Sequence, residues 1–424
     1  MSSDESATRP ADPWTDLDAL ASLPRVGGHW LSPDGSRLVV GLATRDTSRD
    51  RYLTALWDVD PAGQRPARRL TRSSEGESGA AFTPSGDLLF VSKRPDPTDD
   101  GDDSAGAALW LQPAAGGDAR LLAGPPGGVR GVVVSASGVL VAGVSMLPAA
   151  TDFDSDRTLR TERDDAKVTA ILHEEFPVRY WDHDLGPDRT RLFTADLTAA
   201  DDHLTLTELT GHVGSALDET SSWDISPDGR TVVTSWHEPE PGGSRRPTLV
   251  AIDVATGERR VLATDPRHAF DQPRISPDGT RVACVVELLP TPEHPLDKWL
   301  GIVPITGGEV RAVAKDWDRW PEQPHWTSDG RGVIVTADDD GRCPVWRIDV
   351  ESGARTRLTQ DHGAYGDIAV TPDGRWVHAL RAAMDAAHEP VRIAADGGGT
   401  VETLRGPATA PALPGTLTEV VTTG

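Results

Sequence analysis

Ser226-Pro227-Asp228-Gly229 is a turn phrase, and the run Thr231-Val232-Val233 that follows it makes the pair a hairpin signal. Proline pre-sets φ at the first corner, aspartate bonds the local backbone, and glycine takes the positive φ that ends the bend. Close variants stand at Ser32-Pro33-Asp34-Gly35, Thr83-Pro84-Ser85-Gly86, Ser135-Ala136-Ser137-Gly138, Ser276-Pro277-Asp278-Gly279, Thr327-Ser328-Asp329-Gly330 and Thr371-Pro372-Asp373-Gly374. The final glycines of the seven copies are spaced by 51, 52, 91, 50, 51 and 44 residues. One such phrase is an ordinary surface hairpin; seven in phase are a repeat array whose unit is one supersecondary element.

Outward from each turn the unit repeats as well. A short apolar run follows, as in Leu88-Leu89-Phe90-Val91 and Val282-Ala283-Cys284-Val285-Val286, and suits a strand buried on both faces. About 20 residues past the glycine comes a third strand, usually opened by a large residue: Leu56-Trp57-Asp58-Val59, Leu109-Trp110-Leu111, Lys298-Trp299-Leu300, Val345-Trp346-Arg347-Ile348. A last short strand closes the unit, as in Arg69-Leu70-Thr71, Arg120-Leu121-Leu122 and Arg357-Leu358-Thr359. Four strands in each of seven units predict an all-β fold, a seven-bladed β-propeller of four-stranded antiparallel blades. Blades are expected to begin near residues 27, 79, 129, 221, 271, 322 and 365. The chain divides into an N-terminal extension (1–24), the propeller (25–407) and a terminal segment (408–424).

A ring of small sheets absorbs 424 residues without one oversized core, and 37% apolar content fits thin cores between polar turns. No run approaches the roughly 18 apolar residues of a membrane span. Residues 1–10 are polar and acidic, with no secretory pattern, and the two cysteines, Cys284 and Cys343, form no metal-ligand pair. Each reads as a buried free thiol, and a cytoplasmic location is expected. A net charge of −24 argues against nucleic acid or an anionic membrane as partner.

The wide gap between Gly138 and Gly229 requires an insertion in the third blade, about 147–188. Its first half, Thr158 through Glu175, reads as a helix with Val168, Ile171 and Leu172 on one stripe. Its second half interleaves aromatics with charge and holds the candidate site: Glu174, Glu175, Arg179, Tyr180, Trp181, Asp182 and His183. The plain structural expectation is that Tyr180 and Trp181 anchor the insertion while Arg179 pairs with Asp182. Asp152, Asp154 and Asp156 have the spacing of a calcium loop, but Arg157 stands where glycine is needed and Arg163 where glutamate is needed. The acidic stretches 96–103 and 338–341 read as solvated hairpin tips. The histidines show no zinc-ligand pattern, and no cofactor is expected. No Gly-x-Ser-x-Gly nucleophile elbow occurs, so no catalytic residue is assigned.

The opening Trp14 to Gly28, the turn phrases and the insertion carrying Arg179-Tyr180-Trp181-Asp182-His183 resemble the propeller half of prolyl oligopeptidase family serine peptidases, in the acylaminoacyl peptidase and dipeptidyl aminopeptidase branch. The resemblance implies a propeller that gates peptide substrates and an α/β-hydrolase domain as its partner. On the same ground 408–424 is expected to be the linker to that domain. It also implies that Glu174 and Glu175 could hold a peptide's free amino end, although His173-Glu174-Glu175-Phe176 matches the dipeptidyl motif poorly. The alternative is a free-standing Tol-type propeller that binds a protein or peptide.

Overall fold

The computed structural model describes residues 14–48, 50–95, 106–198, 203–409, 411 and 413–420. The acidic stretch 96–103 and the first residues of the chain lie outside them. Among the described residues 28 strands form seven sheets of four, each an antiparallel meander in chain order. The first strands begin at Arg25, Glu77, Val129, Trp223, His268, Glu322 and Ala364, within about three residues of the starts expected from the turn spacing. The molecule is a seven-bladed β-propeller.

The turn chemistry explains the repeat. In the first copy Gly35 donates its N–H to the Ser32 carbonyl at 2.8 Å, and the Ser32 hydroxyl donates to Asp34 at 2.6 Å. Asp34 accepts again from the Ser36 N–H at 3.0 Å, while Gly35 takes a φ of 72°. The hydroxyl-to-aspartate bond recurs at 2.6 Å for Ser226 and Asp228, 2.5 Å for Ser276 and Asp278, and 2.6 Å for both Thr327 with Asp329 and Thr371 with Asp373.

Continuous apolar runs follow from double burial. Along the second strand of blade 3 (Val139–Met146), Leu140, Ala142 and Val144 pack with Leu89, Val91 and Leu109 of blade 2. Their neighbour Val141 points the other way and packs with Ile225, Val232 and Val250 of blade 4. Alternate side chains thus enter different inter-blade cores, so neither face can be polar.

Among the described residues no strand is exchanged where the ring closes: blade 1 is built from residues 25–69 and blade 7 from 364–403. Side-chain packing joins the two blades across that seam. Val26, Leu38, Val40 and Leu42 form one cluster with Leu380 and Leu404, and the His29 and His378 rings meet with centroids 6.2 Å apart.

Candidate functional site

Because every first strand ends in its turn phrase, all seven turns emerge on one face of the ring, and the connections between second and third strands emerge on the other. The insertion, 147–188, belongs to this second face. It lies between the second strand of blade 3 and the third, Arg189–Asp196.

After a short N-terminal helix, α1 (Leu17–Ala21), the helix of the insertion, α2, spans Phe153–Asp165, which corrects the span expected from the apolar stripe. Capping decides its start. Asp152 accepts from the Ser155 N–H at 2.7 Å and Ser155 Oγ accepts from the Asp152 N–H at 3.0 Å, a reciprocal pair that satisfies two otherwise orphaned donors. The aspartates with calcium-loop spacing are therefore the cap and first turn of a helix. Asp156 is fully buried, accepts from the Leu147 N–H at 2.8 Å and pairs with Arg160 at 2.8 Å. Val168 and Leu172 fall beyond the helix and are exposed.

The second half turns back on itself. Tyr180 donates its N–H to the His183 carbonyl and Leu185 to the Val178 carbonyl, both at 3.0 Å, leaving Trp181 at the tip with 96% of its surface exposed. Trp181 anchors nothing among the described residues, contrary to expectation. Nor does Arg179 pair with Asp182. It lies 3.7 Å from Asp184, while Asp182 meets the His183 ring at 2.8 Å.

Other candidates fasten the insertion to the segment that leads into blade 4. The second ring nitrogen of His183 meets Glu219 at 2.8 Å, and Glu219 lies 3.6 Å from Arg130. Tyr180 donates its hydroxyl to Asp218 at 3.2 Å, and Arg245 reaches the same carboxylate at 2.8 Å. Glu175 accepts from the N–H and the hydroxyl of Ser215. Glu174 lines a neighbouring cavity of about 350 Å³ with Arg163, Arg189 and His212. Hydrogen bonds donated to Asp182 and then to Glu219 raise the His183 pKa above its ordinary value. Burial acts to raise Asp218, but hydrogen bonds from Thr220, with His237 and Arg245 nearby, outweigh it and hold the carboxyl below the usual range. Ser215, Asp218, Glu219, Arg130 and Arg245 escaped the sequence reading. For Ser215, Asp218 and Glu219 the one signal was the wide Gly138-to-Gly229 gap, which also holds the insertion; Arg130 and Arg245 lie outside it and carried none.

The innermost strands line the axial tunnel. Seven residues before each turn glycine stand Gly28, Gly79, Gly131, Ser222, Gln272, Gln323 and Asp367. Gln272, Gln323 and Asp367 sit at bulges with φ of 54°, 52° and 51°. Gln272 Oε1 accepts from the Gln323 N–H at 2.8 Å, and Gln323 Oε1 accepts from the Asp367 N–H at 2.9 Å. Ser222 donates to Asp271 at 2.9 Å. A polar ladder thus links blades 4 to 7, opposite a wall of glycines on blades 1 to 3.

Two further expectations change. Asp339 is no solvated tip residue: it pairs with Arg319 and Arg357, each at 2.6 Å. Cys284 is buried, but Cys343 only partly so. Burial pushes the two thiols up to about 12 and about 11, so neither is a ready nucleophile.

No family model matches the chain. Dipeptidyl-peptidase 5 of Trichophyton equinum is 26% identical over 258 residues, which are 55% of this chain and 35% of that protein. The chain is a propeller related to prolyl oligopeptidase family peptidases. It matches about a third of the length of these relatives. Acylaminoacyl peptidase of Pyrococcus horikoshii superposes with a TM-score of 0.65 at 13% identity, over 92% of this chain and 53% of that one. The β-propeller domain of the Trilobed protease from Pyrococcus furiosus, described as having an open velcro topology, superposes with a TM-score of 0.58 at 13% identity, over 90% and 95%. The likeness to the solved structures is one of fold.

Proposed function

We propose that this chain is the non-catalytic, substrate-gating propeller of a prolyl oligopeptidase family serine peptidase acting on peptides. The observation that carries the reading is the match to a peptidase over only a third of that peptidase's length, in a sequence with no nucleophile elbow of its own. An α/β-hydrolase domain is the expected partner. The insertion face is its seat, which the positions of the terminal segments support. Near the N-terminus, Tyr52 donates to the Ala21 carbonyl and Arg45 pairs with Asp18 on this face. Near the C-terminus, Glu419 pairs with Arg342 on the same face. Trp181 and the half-exposed Trp320 stand there as apolar anchors for docking. The amides and carboxylates of the tunnel ladder suit hydrogen bonding to an extended peptide backbone. Glu174, whose carboxylate has no partner among the described residues, is the better placed of the two glutamates to meet a peptide's amino end, because Glu175 is held by Ser215. A cytoplasmic location remains part of this reading, resting on cysteine usage.

The test is to supply a prolyl oligopeptidase family hydrolase domain, encoded in frame with this chain, with and without the propeller. The expected result is that the pair cleaves short peptides and spares folded proteins, while the hydrolase domain alone loses that discrimination. Equal cleavage of both substrate classes by the pair, or failure of the two parts to associate, rejects gating and leaves the free-standing binding module.

A further inference from the structure

On the flank of the ring between blades 1 and 2 lies a groove of about 630 Å³ that the gating role does not use. Five arginines line it, Arg37, Arg68, Arg69, Arg72 and Arg94, and Asp118 is the one acidic residue among its lining. This is unexpected in a chain of net charge −24. At physiological ionic strength charges beyond a Debye length of about 8 Å are largely screened, so the local arginines set the potential in the groove.

Among the described residues, nearby carboxylates neutralise only part of this charge. Arg37 and Arg68 share Asp58 at 3.9 and 4.0 Å, the outer limit of an ion pair. Arg94 is held by Glu77 at 2.9 Å and lies over the rings of Phe90 and Trp110, which fix its guanidinium in place. Arg69 and Arg72 have no carboxylate partner among the described residues. A comparison within the ring shows what is missing. Arg357, the counterpart of Arg69 in blade 6, also donates Nε to the carbonyl of the threonine two residues on at 2.8 Å, but its outer nitrogen is paired with Asp339 at 2.6 Å. In blade 1 the donors equivalent to those that bind Asp339 are left for another anion. Guanidinium forks bind carboxylate and phosphate oxygens in pairs, and the groove is large enough for a small molecule.

The geometry points to this groove as a binding site for a small polyvalent oxyanion, one with two or more phosphate or carboxylate groups along its length. Calorimetric titration of the 424-residue chain with tripolyphosphate, and separately with citrate, tests it at physiological salt. The expected result is saturable binding at one site per chain, weakened about tenfold by Arg72→Gln and by Arg69→Gln, and unchanged by Arg230→Gln on blade 4. Binding of tripolyphosphate alone assigns a phosphorylated ligand, and binding of citrate alone a polycarboxylate. Arg72 is exposed and has no hydrogen bond or ion pair among the described residues, so its variant separates recognition from stability. No saturable heat with either anion, or equal weakening by Arg230→Gln, overturns the proposal.

Discussion

His183 and His29 show how one residue type serves opposite ends. His183 is exposed and lies between Asp182 and Glu219, whose hydrogen bonds raise its pKa. A pKa raised on folding contributes stability below the unfolded value near 6.5 that is lost as pH rises through the folded value. The hairpin around Trp181 should therefore be better ordered at about pH 6 than at about pH 8.5, read as slower amide exchange at 178–185 after correction for intrinsic rates. Equal protection at both pH values, or none of the difference lost in His183→Gln, would show that the bridge does not hold the hairpin. His29 is the reverse case. Burial first, then the neighbouring His378 and His325, push it down to about 3, and neither of its ring nitrogens has a hydrogen-bond partner among the described residues. His378 is pushed down to about 4 by burial and by Arg392. A lowered histidine pKa contributes stability that is complete above about pH 6.5 and lost as pH falls toward the folded value. Between about pH 7 and about pH 4.5 each such ring should cost about 2 kcal/mol. His29→Leu should accordingly lose about 2 kcal/mol less than the wild type over that range, measured by urea unfolding at both pH values. Identical losses would place the acid sensitivity elsewhere.

At the scale of the element, the insertion is a helix and a hairpin fastened at different points. α2 rests on Asp156, the buried acceptor for Leu147 and Arg160, and on the stacking of Phe153 against Phe193 with centroids 5.0 Å apart. Asp156→Ala orphans the Leu147 N–H and leaves Arg160 with Asp188 as its remaining carboxylate among the described residues, a loss of about 2 kcal/mol. It should expose 147–165 to limited proteolysis while the remaining blades stay protected; an unchanged cleavage pattern would mean the helix is held by apolar packing. Trp181→Ala should behave differently, because the ring touches little of this chain. We expect docking of the hydrolase domain to weaken by roughly 1–3 kcal/mol with the melting temperature unchanged. A large drop in melting temperature with docking intact would make Trp181 part of the insertion's own core.

At the scale of the whole molecule, the sequence carries no Gly-x-Ser-x-Gly elbow, and the prediction is that the chain alone hydrolyses neither peptides nor esters. Labelling by a fluorophosphonate probe that disappears on replacing one serine would refute this. The turn phrases made the blade count and register legible because each is a local device: hydroxyl, aspartate and glycine act within four residues, and their spacing carries the repeat. Double burial of the second strands was legible for the same reason, since unbroken runs such as Leu88-Leu89-Phe90-Val91 leave no polar face. The span of α2 was misread because the stripe of Val168, Ile171 and Leu172 looked stronger than the cap at Asp152, and burial of Asp156 is invisible in a string of letters. The site was legible only on one side. The sequence by itself determined the ring of seven blades, the place of the insertion and the absence of a nucleophile elbow. Only the tertiary structure decided that Tyr180 meets Asp218, that His183 meets Glu219, that Trp181 stands free and that five arginines share one groove, because these pairings join residues from separate strands and loops and depend on how blades pack, which no local spacing encodes.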